Sequence, residues 1–430
     1  MMFLQYAVWG IWLPVLATYL QSPIVEGGLG FTSGQVGWII GIAASLGAVS
    51  APFIAGQFAD RYFPTEKFLS LLLLFGGVAK FVLSFQTSFS AWLVLSILYS
   101  VLYMPTLSLT NSMAFAHLKN VDTEWPRVRV MGTFGWIAAS WLFPMIWLQS
   151  DLEFQVLPPF FVGTEVAEAT SRLGDTLKVS GVISILYAFY CLTLPNTPPN
   201  RGASEKLAFI KAFSLLSEKS FAVLIIASLP IAVIHQIYFM QTGPFLENQL
   251  GLLVTYIAPA MTVGQFAEIG VMAILGVFIG KFGFRRTIAI GAFAYFARYL
   301  VWGLISLQEP SGPSVDASGQ FLWTIPLVIG VFSQLLHGVC YACFFAAAYM
   351  YVDKIADDDI RNSAQTVFGI IILGLGPMLA APLLAILSSL FGEAGVVTDF
   401  ASMWLTLAAI ALTTSIVFYS AFNDQAMDSK

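Results

Sequence analysis

Residues 262–286, which read TVGQFAEIGVMAILGVFIGKFGFRR, indicate the fold class. The stretch is apolar apart from Gln265 and Glu268 until its basic end, which runs from Lys281 to Arg286. A helix crosses the core of a bilayer with ~20 apolar residues, and basic residues collect on the cytoplasmic side. The stretch therefore predicts a membrane-spanning helix that carries a carboxylate near its middle and ends at the cytoplasmic surface.

The composition of the whole chain is typical of a membrane protein. Of its 430 residues, 58% are hydrophobic and 10% are charged, whereas soluble domains carry roughly 25% charged residues. The three cysteines stand in apolar segments and do not indicate a disulfide framework. No basic face suggests a nucleic-acid partner, and no phosphate-binding loop suggests nucleotide hydrolysis. We therefore expect an all-α integral membrane protein that is not driven by ATP.

Twelve apolar runs are long enough to be transmembrane helices. A polar segment divides them six and six, so we expect an N-terminal bundle over 1–196, a cytoplasmic linker over 197–219, a C-terminal bundle over 220–422 and a tail over 423–430. With twelve spans, both termini lie on the same side of the membrane. Fourteen Lys and Arg residues would lie on that side and two on the opposite side. Because basic residues collect on the cytoplasmic side, we expect both termini to be cytoplasmic. The predicted spans are 2–21, 35–60, 67–86, 89–116, 127–149, 178–196, 220–247, 253–280, 287–307, 321–352, 362–391 and 399–422.

Two loops at matching positions of the two halves repeat one pattern. The first reads GQFADRYFPTEK over 56–67 and the second GVFIGKFGFRR over 276–286, and each follows the second helix of its half. Glycine permits close helix packing, and a cation beside a carboxylate could form a pair that breaks as the halves move. Each loop alone could be an ordinary basic cytoplasmic loop, but two copies favour duplicated halves. The predicted gating residues of the cytoplasmic mouth are Gly56, Asp60, Arg61, Gly276, Lys281 and Arg285.

The paired loops resemble those of the major facilitator superfamily. Further stretches are similar to its nucleoside:proton symporter family, namely YMPTLSLTNSMAF at 103–115, WPRVRVMGTFGW at 125–136 and VDKIADDDIRNSAQTVFG at 352–369. The resemblance implies two six-helix bundles around a central cavity that opens alternately to each side. It also implies secondary transport of nucleosides, coupled to protons, across the inner membrane. We expect no cofactor and no metal, and we expect the chain to function in the bilayer as a monomer.

The carboxylate of Glu268 is the strongest candidate for a site residue. It stands twelve residues before Gly280, which is roughly 18 Å along a helix and near the bilayer midplane. Gln265 lies on the same helical face. A charge at this depth is usually functional, although a protonated acid bonded to a neighbouring helix is the alternative. The resemblance implies that both residues contact substrate, and Glu268 is the predicted proton-coupling acid. Two cations inside spans, Lys80 and Arg298, are interpreted as packing or snorkelling residues.

Residues on three further spans complete the expected binding site. Arg129, Thr133 and Trp136 share one helical face, and a guanidinium, a hydroxyl and an indole together suit a base and a ribose. Arg129 alone could instead reach the cytoplasmic headgroups, and the resemblance favours the cavity. Helix–helix hydrogen bonds are the alternative role for the remaining polar residues. These remaining expected substrate contacts are Gln236, His337 and Tyr341.

Two departures from the family pattern leave the substrate and the coupling open. Ala342 stands where the family carries an aspartate, and Phe239 where it carries an asparagine. Proton coupling would then rest on Glu268 or His337, or be lost, which would leave a uniporter. A transporter for another polar solute, such as a sugar, is a second alternative, because stacking and carboxylate hydrogen bonds suit sugars as well. An intramembrane enzyme is disfavoured, since three histidines offer no convergent catalytic set.

Overall fold

A computed structural model describes residues 1–55, 62–156, 159–198, 217–316, 321–356 and 361–423. Its ordered structure is almost entirely helical. The α-helices of the first half are Met2–Gly10, Leu13–Gln21, Ser33–Gly37, Ala43–Phe53, Thr65–Leu83, Phe89–His117, Val121–Trp147, Ala169–Arg172 and Asp175–Cys191. Those of the second half are Lys219–Asn248, Val254–Ile305, Ile325–Phe332, Leu335–Val339, Ala347–Ile355, Arg361–Gly369, Gly376–Leu390 and Phe400–Ala421.

Nine helices in the described ranges are long and apolar enough to cross a membrane. The longest is Val254–Ile305, with 52 residues, where the sequence predicts two spans at 253–280 and 287–307. Gly283 interrupts this helix with a φ of 74°, a backbone conformation that glycine adopts without steric cost. The predicted boundary between the two spans therefore lies at a bend within continuous helical structure.

The predicted spans 67–86 and 178–196 correspond to helices that are shorter or more polar than the nine candidate membrane helices. Thr65–Leu83 contains three charged residues within its 19 residues, and Asp175–Cys191 has only 17 residues. Both nevertheless pack inside the first half, mainly against each other. The all-α membrane architecture is confirmed, whereas the total of twelve spans stays a prediction.

Two short β-hairpins lie at one end of the helices, and neither was predicted. The first pairs β1, Gln149–Phe154, with β2, Phe161–Glu165. The second pairs β3, Gly392–Glu393, with β4, Val396–Val397. The strand residues of β1 after Gln149 are all exposed. Leu152 and Phe154 alternate with polar residues, but two apolar positions are too few to signal a strand. The sequence indicated only a polar break between spans.

The two halves contact each other at the end of the helices that carries the hairpins. Gln241 Nε2 donates a hydrogen bond to Gln21 Oε1 at 3.2 Å. Helix packing is tight nearby, because a Cβ added to Gly41 would lie 2.4 Å from the carbonyl oxygen of Pro377. Only glycine permits so close an approach of two backbones. The space between the halves is therefore closed at the hairpin end.

The opposite end of the helices is open around one of the predicted gating glycines. A Cβ added at Gly270, Gly276 or Gly280 would meet no heavy atom of the described chain within 4 Å. No heavy atom of the described chain packs on Gly276 in this conformation, and its role in gating stays a prediction.

Candidate functional site

A cavity of about 430 Å³ lies between the two halves. Small-molecule sites in proteins usually have volumes of ~300–1,000 Å³. Both halves contribute aromatic and polar side chains to its walls. All eight residues that the sequence predicted for the binding site line this cavity, namely Arg129, Thr133, Trp136, Gln236, Gln265, Glu268, His337 and Tyr341.

Three π-helical segments occur in the described chain, and each contributes residues to the cavity wall. They are Trp38–Ile42, Cys340–Ala346 and Ile370–Leu375. Such segments break the regular ladder of backbone hydrogen bonds and recur at functional sites. The residues they place on the cavity are Ile39, Ile40, Tyr341 and Leu373.

A continuous aromatic wall forms the side of the cavity that belongs to the first half. Trp136 meets Trp9 edge to face, with ring centroids 5.6 Å apart. Trp9 meets Tyr103 in the same way at 6.0 Å, and Tyr103 stacks on Tyr99 at 5.3 Å. Such a wall suits a flat heteroaromatic ligand, because every base presents a π face. The sequence predicted Trp136 and missed the other three rings.

Arg129 faces the cavity. Its guanidinium carbon lies 4.3 Å from the centroid of the Tyr6 ring, which is cation–π geometry. Its charge also interacts with that of Glu268 from the opposite half. The alternative in which Arg129 reaches the lipid headgroups is therefore excluded in this conformation.

Glu268 and Gln265 project from the helix Val254–Ile305 into the cavity. Gly338 of the neighbouring helix packs closely against the backbone at this position. A Cβ on Gly338 would lie 2.4 Å from Glu268 N, so the close contact requires glycine. The Gln265 Oε1 atom is buried and has no hydrogen-bond partner in the described chain. A free acceptor beside a carboxylate gives this wall a capacity to bind donors on a ligand.

His337 lines the cavity, but its ring is already engaged. Arg298 donates a hydrogen bond from a terminal nitrogen to His337 Nδ1 at 2.7 Å. Because arginine is always a donor, Nδ1 is the acceptor and the ring proton resides on Nε2. The His337 ring also stacks on Tyr238 at 4.9 Å and His235 at 5.6 Å. A proton on Nδ1 would break the bond from Arg298 and place two positive charges side by side, so this geometry disfavours His337 as the proton acceptor.

Lys80 is buried and lines the cavity, so it does not reach the headgroups as a snorkelling residue would. Its Nζ lies 3.3 Å from the ring centroid of Trp12 and 3.7 Å from that of Tyr99. Lys80 lies three residues before the end of its helix. At such a position, the sequence alone does not distinguish a lysine that faces the cavity from one that extends to the lipid headgroups. The missed signal was the aromatic pair, on two other spans, that surrounds it.

Ala342, at the position of the family aspartate, is fully buried and does not line the cavity. Cys340 and Cys343, on either side of it, are buried free thiols. The side chains that face the cavity from this region come instead from His337 and Tyr341. An acid at position 342 would therefore stand behind the cavity wall.

Three of the six predicted gating residues, Gly276, Lys281 and Arg285, lie in the described ranges. Gly56, Asp60 and Arg61 lie outside the described residues. Lys281 Nζ lies 5.4 Å from the ring centroid of its neighbour Phe282. Arg285 Nε donates to the backbone oxygen of Tyr419 at 2.7 Å, on the last helix of its own half. Arg285 thus connects two helices within the second half in this conformation.

Comparisons with known proteins agree with this architecture. A family model described as nucleoside H+ symporter matches residues 1–427. YegT of Escherichia coli (strain K12), which carries the provisional name of a nucleoside transporter, is 29% identical over 99% of this chain and 92% of its own length. The xanthosine permease of the same strain is 25% identical over 98% of this chain and 94% of its own.

Solved structures show the same fold. A crystal structure of the nucleoside transporter NupG, in a form with one substitution, matches with a TM-score of 0.80 at 22% identity and covers 98% of each chain. The family match extends over nearly the whole sequence, and the helical halves line one cavity. This chain belongs to the nucleoside H+ symporter family and has the major facilitator fold.

Proposed function

We propose that this chain carries nucleosides across the inner membrane by alternating access, with a proton moving in the same direction. The observation that carries the proposal is the composition of one cavity, where rings, amides, a guanidinium and a carboxylate from both halves converge. The predicted bundle boundaries, the cytoplasmic termini and the monomeric state are parts of this proposal.

The substrate base lies against the aromatic wall, with Trp136 on one side and Tyr341 on the other. Arg129, Gln265 and Gln236 offer donors and acceptors to the base and the ribose. The unpartnered Oε1 of Gln265 gains a hydrogen bond when substrate binds. Such bonds discriminate strongly against analogues that lack the matching group.

Glu268 carries the proton in this scheme. When ionised, it is attracted to Arg129 across the cavity. Protonation of Glu268 removes this attraction, so Arg129 becomes free to bind substrate. The protonated carboxyl group can also donate a hydrogen bond to the substrate. Substrate and proton then stabilise one another in the cavity, which is what symport requires. The closed hairpin end and the open opposite end represent one of the two alternating states.

Uptake into proteoliposomes tests the proposal. Purified protein is reconstituted and offered a panel of labelled nucleosides and sugars, with and without an inward proton gradient. We expect nucleosides to accumulate above the external concentration only with the gradient. Exchange without accumulation would leave facilitated diffusion, and uptake of sugars in place of nucleosides would refute the substrate class.

A further inference from the structure

Lys80 is a buried cation without an anionic partner. Only 2% of its surface is exposed, and its Nζ stands over the rings of Trp12 and Tyr99. Within the described chain, Lys80 makes no ion pair and no hydrogen bond. Cation–π contacts offset part of the hydration that an ammonium loses on burial, but they leave its hydrogen-bond donors unused.

Ser100, a second polar residue on the cavity wall, is also unpartnered. Ser100 follows Tyr99 in the chain, lines the same cavity and is 5% exposed. Its Oγ is buried and finds no hydrogen-bond partner in the described residues. Buried polar groups without partners are rare in proteins and point to a missing ligand or water. Lys80 and Ser100 are thus two donors on the cavity wall that have no partner in the described residues.

The charges that line the cavity do not balance. They are the cations Lys80 and Arg129 and the carboxylate of Glu268. With Lys80 and Arg129 both charged, the described cavity lining carries one net positive charge when Glu268 is ionised and two when it is protonated. A low-dielectric cavity with excess positive charge attracts an anion, and a neutral nucleoside would leave the excess in place.

The aromatic wall leads from the predicted base site to this cation. Trp12 meets Tyr99 at 5.9 Å, Tyr99 stacks on Tyr103, and Tyr103 meets Trp9 beside Trp136. A base that stacks on this wall can direct its edge toward Lys80. The edge of an ionised base carries a ring nitrogen and carbonyl oxygens that share a negative charge, and these atoms would face Lys80.

We propose that Lys80 is a specificity residue that binds the ionised base of an acidic nucleoside, so that this chain prefers nucleosides with an anionic base to neutral ones. The proposal rests on nucleoside binding in this cavity, as proposed above. Xanthosine is a suitable probe, because its purine loses a ring proton near neutral pH. Inosine has the same ring with one carbonyl fewer and stays neutral.

Binding measurements on Lys80→Met test the proposal. Methionine has a similar volume and packs well against aromatic rings, so the wall is kept while the charge is removed. Lys178→Met is the matched control, because Lys178 is a half-exposed cation that pairs with Asp175 at 2.7 Å outside the cavity. Affinities for xanthosine and inosine are measured by calorimetry in detergent, at a pH above and a pH below the pKa of xanthosine.

The wild type and Lys178→Met should bind xanthosine more tightly than inosine at the higher pH. Lys80→Met should bind xanthosine about 10- to 100-fold more weakly, the range for loss of a hydrogen bond to a charged group, and inosine within about threefold of wild type. The preference should vanish at the lower pH, where both ligands are neutral.

Three results would overturn the inference, and they are distinguishable. Equal affinities of the wild type for both ligands would remove the preference. Equal weakening of both ligands in Lys80→Met would assign Lys80 to packing. Binding of neither nucleoside to wild-type protein would refute the proposed function itself, and the role of Lys80 with it.

Discussion

The carboxylate of Glu165 joins the two halves at the hairpin end, and its removal should open that end. Glu165 ends strand β2 of the first half. Its Oε2 accepts hydrogen bonds from Thr255 N at 2.9 Å and from Thr255 Oγ1 at 2.7 Å. Thr255 is the second residue of the helix Val254–Ile305, so its amide is one of the free donors at a helix N-terminus. The favourable helix dipole adds to the attraction.

Glu165→Ala removes both hydrogen bonds and leaves the Thr255 donors unpartnered in the closed state. Bonds to a charged acceptor contribute ~1.5–3 kcal/mol each, but water replaces them when the halves separate, and burial of the carboxylate in the closed state offsets a further part of the gain. We therefore expect the closed state to lose about 1–3 kcal/mol relative to the open state, which is a shift of roughly 5- to 150-fold in their ratio. Glu168→Ala is the control, because Glu168 is exposed and pairs with Arg172 on its own half.

Spin labels at Val25 and Glu393 would report the separation of the halves. Both positions are exposed and lie at the hairpin end, and the three native cysteines are buried. Pulsed electron paramagnetic resonance should show a longer-distance population that grows in Glu165→Ala and not in Glu168→Ala. Identical distance distributions in the two variants would refute a role for this contact in closure.

The same carboxyl group gives closure a pH dependence. Burial raises the pKa of Glu165 above its ordinary value, and the hydrogen bonds from Thr255 offset part of this rise. An open state exposes the group to water and has the lower pKa. The carboxyl group therefore favours closure below its open-state pKa, and this contribution is lost as the pH rises through its closed-state pKa. Acidification should increase the closed fraction in wild type, and the response should be smaller in Glu165→Gln, where Glu247, whose charge interacts with Glu165, still remains.

Three further predictions concern the cavity and the packing that closes it. Glu268→Gln should abolish accumulation driven by a proton gradient while substrate exchange continues, and accumulation at the wild-type rate would contradict its role as proton carrier. Trp136→Ala should weaken nucleoside binding by ~1–3 kcal/mol if the ring stacks on a base, and unchanged affinity in calorimetry would make it a packing residue. Gly41→Val should disfavour the closed hairpin end by ~1–3 kcal/mol through overpacking against Pro377, measured with the Val25 and Glu393 labels.

The sequence predicted the residues of the cavity better than the details of the helices. Helical spacing places Arg129, Thr133 and Trp136 on one face, and the family resemblance identified which faces meet. The structure places all of them on one cavity. The roles of these residues stay predictions, because geometry alone does not show which of them a substrate touches.

What the sequence missed depends on contacts between distant segments. Lys80 is buried because Trp12 and Tyr99, on two other spans, surround it, and no local pattern encodes such an arrangement. The hairpin of β1 and β2 was missed for another reason. Its strands are short and exposed, and one of them is held in place through Glu165 and Thr255, which lie 90 residues apart.

The loss of the family aspartate at Ala342 need not abolish coupling. Ala342 is fully buried behind the cavity wall, whereas Glu268 faces the cavity and interacts with Arg129 from the opposite half. His337 is occupied by its bond from Arg298, so Glu268 is the acid best placed to load and release a proton as the cavity changes sides. A cycle with one such acid moves one proton per substrate. Its highest substrate gradient is then about tenfold for each unit of pH difference, and a steeper gradient without a membrane potential would require a second proton carrier.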